Sequence, residues 1–128
     1  MATERTRSIR KSTGGRYKTL YRKSRQYARV QAPALTKLGE SKTRVTRATA
    51  GMQKVKLLSV NKISVADPKT KKVKQATIKT VKQNDANINF IIRNIMNKGA
   101  VVETDLGLVK ITSRPGQNAS LSGVLLHK

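Results

Sequence analysis

The sequence contains no cysteine and a single histidine, His127, among its 128 residues. A disulfide-stapled secreted scaffold and a thiolate metal site are therefore excluded, and an ordinary zinc site lacks its ligands. The glycine-rich phosphate loop of the form G-x-x-x-x-G-K-S/T is also missing. Two acids, Glu103 and Asp105, lie on or beside a predicted hairpin turn, where carboxylates are commonly only solvated. We therefore expect no catalytic residue, no metal site, no cofactor and no small-molecule substrate.

Long apolar runs and acidic residues are equally scarce. No run of about 18 apolar residues is available to span a bilayer, and residues 1–10 are polar, unlike the apolar region of a signal peptide. Asp and Glu number 6 against 28 Lys and Arg, which gives a formal net charge of +22. An excess of this size in a short chain is typical of proteins that bind nucleic acid. We expect a cytoplasmic protein with a polyanionic partner and without a membrane partner.

The basic residues are concentrated towards the N-terminus. Residues 1–50 carry 14 basic and 2 acidic side chains (net +12), residues 51–82 carry 9 and 1 (net +8), and residues 83–128 carry 5 and 3 (net +2). All three tyrosines lie in this basic front, although a hydrophobic core would normally take them. The gradient predicts a front that contacts the partner and a back that folds on itself.

The segment from Arg5 to Arg29 is the most basic part of the chain, with seven Arg, three Lys and no acidic residue. Its charge is too large to bury and its apolar content too small to form a core, so we expect it to take up a fixed structure against a polyanion. Gly14 and Gly15 interrupt the segment. This pair either brings the main chain close to a phosphate or ribose, or acts as a flexible joint.

A helical period runs from Tyr17 to Arg29, because apolar and small residues recur on one face at Tyr17, Leu20, Tyr21, Ser24, Tyr27 and Ala28. Like-charge pairs such as Lys18 and Arg22 weaken this helix in water, so we expect it to form when phosphates cancel the charge. The three tyrosines either stack on unpaired bases or pack against the barrel or a neighbouring protein.

From residue 41 onwards, alternation of apolar and polar residues replaces the helical period. About six strands are predicted between residues 41 and 126, with regularly spaced turns, which favours a small barrel or sandwich. The Lys-rich strand near residues 73–82 has one weakly apolar side, which suits an exposed or edge position. We predict two parts: residues 1–40 as a basic extension and connector, and residues 41–128 as a mainly β domain, a small six-stranded barrel.

Two stretches of the second half are less clearly patterned. Residues 85–97 fit a helix by the spacing of their isoleucines, whereas their β-branched content and internal Asn residues favour an extended path. We favour one helical turn near residues 86–90, followed by a strand through Arg93. Pro115 and Gly116 fit a type II turn with Gly116 at positive φ, and we favour this structural role over a direct role in binding.

Several blocks of the sequence occur together in one order: residues 10–16 (RKSTGGR), 22–27 (RKSRQY), 37–40 (KLGE), 98–104 (KGAVVET) and 112–117 (TSRPGQ). In this order they resemble the ribosomal protein S8e family of the archaeal and eukaryotic small ribosomal subunit, and the short length is similar to that of the archaeal members. The sequence departs from the family pattern after Tyr27, where an expected acidic residue is missing, and at Thr49-Ala50-Gly51, which replaces a more basic turn.

The resemblance implies a β-barrel body and a basic N-terminal extension buried among ribosomal RNA helices. It also implies neighbouring ribosomal proteins as partners, a cytoplasmic location in the small ribosomal subunit, and no catalysis. Arginine suits specific contacts because its planar guanidinium makes paired hydrogen bonds and stacks on bases. We predict RNA binding by Arg5, Arg7, Arg10, Lys11, Gly14, Gly15, Arg16, Tyr17, Lys18, Tyr21, Arg22, Lys23, Arg25, Tyr27, Arg29, Arg44, Arg47, Arg93 and Arg114.

The last four arginines of that set lie in or beside predicted β elements, and they either extend the RNA-binding surface or are simply solvated. Two other functions fit the same charge. One is a freestanding architectural protein that binds duplex DNA, and the other is a ribosome-assembly factor that leaves before the subunit matures. All three functions predict an affinity that falls steeply with salt.

Overall fold

The chain divides between Pro33 and Ala34 into two units, which are described separately. A computed structural model describes residues 2–3, 8–18, 29–30 and 32–126. In the first unit, β1 (Ala2–Thr3) pairs antiparallel with β2 (Arg29–Val30). Most of the predicted helix, residues 19–28, lies outside the described residues. Both of its ends are non-helical here, because Tyr17 N donates to Ile9 O (3.0 Å) and Arg29 lies in β2. The helix was expected only when phosphates cancel its charge, and that expectation stays a prediction.

The second unit is built almost entirely from strands. In chain order these are β3 (Thr36–Leu38), β4 (Lys42–Arg47), β5 (Gln53–Val60), β6 (Lys62–Asp67), β7 (Lys72–Gln83), β8 (Ile95–Met96), β9 (Val101–Thr104), β10 (Gly107–Ile111) and β11 (Ser122–Leu125). A short α-helix, α1 (Asn89–Ile92), lies between β7 and β8, and a 3-10 helix at Thr49–Gly51 joins β4 to β5. Residues 34–40, which the sequence suggested as connector, belong to this unit and include β3.

Five strands close into a barrel in the order β10-β11-β6-β7-β9. All neighbours are antiparallel except β6 and β11, which run parallel, with Val65 opposite Gly123. The mainly β fold with a small barrel is therefore confirmed. The closed barrel has five strands rather than six, because β4 and β5 belong to a separate four-stranded sheet of order β4-β5-β3-β8.

The core lies inside the barrel and under the second sheet. Its fully buried side chains include Leu57, Ile63, Val65, Met96, Val102, Val109 and Ile111. Two hydrogen bonds fix β5 over this core: the buried Thr36 hydroxyl donates to Leu57 O (2.7 Å), and Leu57 N donates to Pro115 O (2.9 Å). The second sheet is thereby attached at the β5 end nearest β3.

Strand β7 was expected in an exposed or edge position. Most of its residues are exposed, but it is not an edge strand, because it pairs with β6 on one side and β9 on the other. Register shifts between residues 78 and 80 and between 81 and 83 interrupt its pairing with β9. Ala76, Ile78 and Val81 are all buried as a result, although strict alternation would separate Val81 from the other two. The bulges gather three core residues on a strand whose sequence looks only weakly apolar.

The ambiguous residues 85–97 form α1 and then β8. The prediction of a strand through Arg93 is wrong, because Arg93 caps the C-terminus of α1 and Asn94 takes a left-handed conformation (φ 48°) that turns the chain towards β8. Asn tolerates this conformation better than most residues. The Asn94 side chain then accepts a hydrogen bond from Val81 N (3.3 Å), which ties this turn to β7.

The turn at residues 114–118 differs from the predicted type II turn. Gly116 does not adopt positive φ, and Arg114 O instead accepts hydrogen bonds from Gln117 N and Asn118 N, both at 2.9 Å. Glycine is still required there for space, since a Cβ at Gly116 would lie 3.3 Å from Ala34 O. The turn prediction was right about position and wrong about type.

Candidate nucleic-acid interface

Residues 8–17 of the first unit form a small hairpin, which contains the RKSTGGR block. Arg10 and Arg16 are bridge partners, Lys11 N donates to Gly15 O (2.8 Å), and Gly14 N donates to Lys11 O (3.0 Å). Gly14 has φ +83°, a conformation that side-chain-bearing residues rarely adopt, whereas Gly15 does not. The glycine pair therefore belongs to an ordered turn in this structure.

The hairpin brings several predicted site residues together and leaves them exposed: Arg10, Lys11, Arg16, Tyr17 and Lys18. Arg10 Nη1 donates to Gly14 O (3.1 Å), and Lys11 Nζ lies 5.6 Å from the centre of the Tyr17 ring. Directly opposed like charges destabilise an antiparallel pair, and residues 8–18 contain no acid to offset the two arginines. This arrangement favours the binding of an external anion beside the two arginines, because the anion offsets their repulsion.

The remaining predicted residues of the extension are divided between described and undescribed parts of the chain. Arg29 lies in β2, opposite Thr3. Outside the described residues lie Arg5, Arg7, Tyr21, Arg22, Lys23, Arg25 and Tyr27.

A second group of cations lies on the β4–β5 hairpin. We call residues 43–56 of this hairpin the basic ribbon, because it carries four cations and no acid. Arg44 lies directly opposite Lys56, and Thr46 lies opposite Lys54. Since side chains alternate along a strand, these four residues share one face, whereas Arg47 points to the other face.

The other two predicted arginines of the second unit lie on separate elements. Arg93 follows α1, and Arg114 begins the turn that contains Pro115. Both side chains are exposed. Their predicted contact with RNA stays a prediction.

The acids Glu103 and Asp105 form ion pairs with β7, which the sequence reading missed. Lys82 Nζ lies 3.0 Å from Glu103 Oε2, and Lys79 Nζ lies 3.5 Å from Asp105 Oδ1. The hydrogen bond and the charge of Lys82, helped by the Thr80 hydroxyl (3.2 Å), hold the pKa of Glu103 below its ordinary value. Glu103 lies in β9, which pairs with β7, and Asp105 lies in the turn that follows β9, so only the long-range pairing brings both acids beside the lysines.

Lys79 and Lys82 are therefore partly neutralised, whereas within the described part of the chain no carboxylate forms an ion pair with the basic ribbon. The ribbon contains no acidic residue, and its two strands, β4 and β5, pair with each other, so neither strand faces an acid across the ladder. The charge of the second unit is thus unevenly offset, with paired cations beside β9 and surplus cations on β4 and β5.

In the part of the chain that the structure describes, no three His, Cys, Asp or Glu side chains are grouped so that they could hold a metal ion. The same residues include no helix that is long and apolar enough to cross a membrane.

These features define the class of the protein as a small, strongly basic β-barrel protein with cation-rich hairpins. Within that class, the chain belongs to the ribosomal protein S8e family, because the family model described as "Ribosomal protein S8e" matches residues 4–126. The predicted family resemblance is confirmed.

Similar proteins include three named "Small ribosomal subunit protein eS8". The one from Methanococcus aeolicus is 40% identical over 121 residues, which cover 94% of each chain. The one from Methanosphaerula palustris is 42% identical over 121 residues, covering 94% of this chain and 96% of the relative. The one from Picrophilus torridus is 41% identical over 120 residues, covering 94% and 95%. These sources are archaea, as the short length predicted.

Proposed function

We propose that this chain is a structural, non-catalytic constituent of the small ribosomal subunit. It binds ribosomal RNA through its basic N-terminal extension and through the basic face of the β-barrel unit, to which Arg44, Arg47, Arg93 and Arg114 are assigned. Neighbouring ribosomal proteins are its other partners, and it works in the cytoplasm as part of the subunit. Family membership supports the assignment, since the relatives are named as small-subunit proteins.

The observation that carries the RNA-binding proposal is the opposed pair Arg10 and Arg16. Two guanidinium groups held across an antiparallel bridge repel each other, and phosphate oxygens between them replace that repulsion with charge-assisted hydrogen bonds. Arg10 is already oriented by its hydrogen bond to Gly14 O, so less side-chain freedom is lost on binding. The neighbouring Tyr17 is exposed and offers a ring on which a base can stack.

The test is the salt dependence of RNA binding by the full chain. The probes are a small-subunit ribosomal RNA transcript from one of the archaeal relatives and duplex DNA of equal charge. We expect the logarithm of affinity for RNA to fall linearly with the logarithm of salt, by about 0.7–0.9 per phosphate contact. The variant Arg10→Gln/Arg16→Gln should lower that slope by about 2.

The control variant is Lys62→Gln/Lys110→Gln, which removes the same charge from exposed strand positions. An equal loss in both variants would mean that only net charge matters at the extension. Equal affinity for duplex DNA and RNA at matched salt would favour a freestanding architectural DNA-binding protein. Absence of the protein from salt-washed mature subunits would favour an assembly factor.

A further inference from the structure

Among the strands that the structure describes, none pairs with the basic ribbon from outside, and no side chain of the ribbon is buried. β4 is the edge strand of its sheet, and β3 pairs with β5 only at Ser59 and Val60, beyond the ribbon. Within residues 43–56 every side chain is exposed or half-buried. A two-stranded hairpin without a covered face is marginally stable in water. The ribbon therefore extends from the folded unit with little packing of its own to hold it.

Repulsion between the charges on one face of the ribbon destabilises this hairpin further. Arg44 and Lys56 lie directly opposite each other, and Lys54 lies two residues along the strand from Lys56. These separations are about 5 Å across the ladder and about 7 Å along the strand, similar to the spacing of successive phosphates in one RNA strand. The Thr46 hydroxyl, on the same face, adds a hydrogen-bond donor.

The composition of the ribbon indicates which part of a nucleic acid it contacts. Residues 43–56 contain no aromatic side chain, so the ribbon has no platform on which unpaired bases stack. Double-helical RNA is instead bound mainly through phosphates and ribose hydroxyls, because its major groove is too deep and narrow for side chains to read. The cations and the Thr46 hydroxyl of the ribbon, with no aromatic side chain beside them, therefore suit the backbone of double-helical RNA.

We propose that the basic ribbon binds the phosphate backbone of double-helical RNA through the face formed by Arg44, Thr46, Lys54 and Lys56. This deepens the proposed function, on which it rests, by assigning a duplex site to the barrel unit distinct from the tyrosine-bearing extension. The phosphates offset the Arg44–Lys56 repulsion. The RNA also supplies the covering surface that the protein does not give this hairpin.

The first test removes the opposed pair. The full chain and its variant Arg44→Gln/Lys56→Gln bind an RNA duplex of about 20 base pairs, long enough for a duplex-binding module. We expect the salt slope to fall by about 2 and the affinity at physiological salt to fall about tenfold or more. The control Lys62→Gln/Lys110→Gln should change both much less. Matching thermal unfolding curves show that each variant is folded.

The second test uses the absence of cysteine from the sequence. Thr46→Cys and Thr43→Cys each introduce a single thiol, on opposite faces of the same strand, for a short thiol-linked photocrosslinker. We expect several-fold more crosslinking to the duplex from position 46 than from position 43. Equal yields from the two faces would overturn the proposal.

The outcomes separate this proposal from the proposed function. If the unaltered chain binds neither the duplex nor ribosomal RNA, both fail. If it binds both with a steep salt slope while the ribbon variant behaves like its control, only the ribbon proposal fails. If the Arg10→Gln/Arg16→Gln variant loses affinity and the ribbon variant does not, the extension alone carries the binding.

Discussion

At Gly123 the barrel leaves no room for even one methyl group. A Cβ built there would lie 2.6 Å from Val109 Cγ1 and 2.7 Å from Lys110 O. We expect Gly123→Ala to lower the free energy of unfolding by about 1–3 kcal/mol, the usual cost of overpacking a core. Chemical denaturation measures the change. Gly116→Ala is the graded comparison, because its nearest atom is 3.3 Å away, and an equal or larger loss there would contradict this account.

Glu103 makes the stability of the barrel slightly dependent on pH in the acidic range. Its pKa is lowered in the folded chain, chiefly by Lys82, so the ionised carboxylate stabilises the fold at neutral pH. That contribution is present above the ordinary glutamate pKa of about 4.3 and is lost as the pH falls through the lower folded value. We expect Glu103→Gln to flatten the fall of melting temperature over this acidic range. Asp85→Asn is the control, and an identical flattening there would contradict the assignment.

Single residues also show where sequence reasoning reached its limit. At Gly14 the residue type suits the backbone, because Gly14 adopts a positive φ that glycine tolerates best. Gly116 was predicted to need positive φ, and it needs space beside Ala34 instead. A local turn pattern identifies a glycine, but the neighbour that crowds it comes from 82 positions earlier in the chain. The pairing of Lys82 with Glu103 was missed for the same reason.

At the scale of elements, the isoleucines around α1 do not form a buried face, although their spacing fits a helix. Ile88 and Ile92 are 75% and 80% exposed, whereas Ile95, four residues after α1's first isoleucine, is fully buried in β8. We expect Ile88→Ser/Ile92→Ser to change the free energy of unfolding by about 0.5 kcal/mol or less per site. Ile95→Ala should cost about 2–5 kcal/mol. Denaturant titrations compare them, and a larger loss from the exposed pair would contradict the burial.

Elements with strong alternation were predictable, and short ones were not. The β9–β10 hairpin and β11 lie where apolar and polar residues alternate between recognisable turns. β3 and β8 contain three and two residues, too few for any periodicity to show. The parallel pairs β3–β5 and β6–β11 join distant segments, and nothing local marks them. The bulges of β7 likewise depend on its partner β9 rather than on its own sequence.

At the scale of the whole molecule, the chain divides into residues 1–33 and 34–128, whereas the sequence predicted a boundary after residue 40. Among the residues that the structure describes, the buried hydrophobic cluster lies between residues 57 and 121, in the second unit. We expect a fragment of residues 34–128 to keep a cooperative unfolding transition close to that of the full chain. It should lose much of the salt slope of RNA binding, because ten cations between residues 5 and 29 are removed.

The control for this fragment is the full chain with Arg10→Gln/Arg16→Gln, which should lie between the two in salt slope. Calorimetry and binding titrations measure both quantities. A fragment that fails to unfold cooperatively would mean that the extension is part of the barrel's stability. A fragment with unchanged affinity would remove the extension from the RNA-binding surface.

The parallel pairing of β11 with β6 sets the order in which this protein is completed. The residues that pair across this seam, Ser64 and Ser122, lie 58 positions apart in the chain. Until β11 arrives, β6 keeps one edge unpaired, and contacts between such distant segments form slowly. Closure of the barrel is therefore expected to be a late step in the folding of this unit.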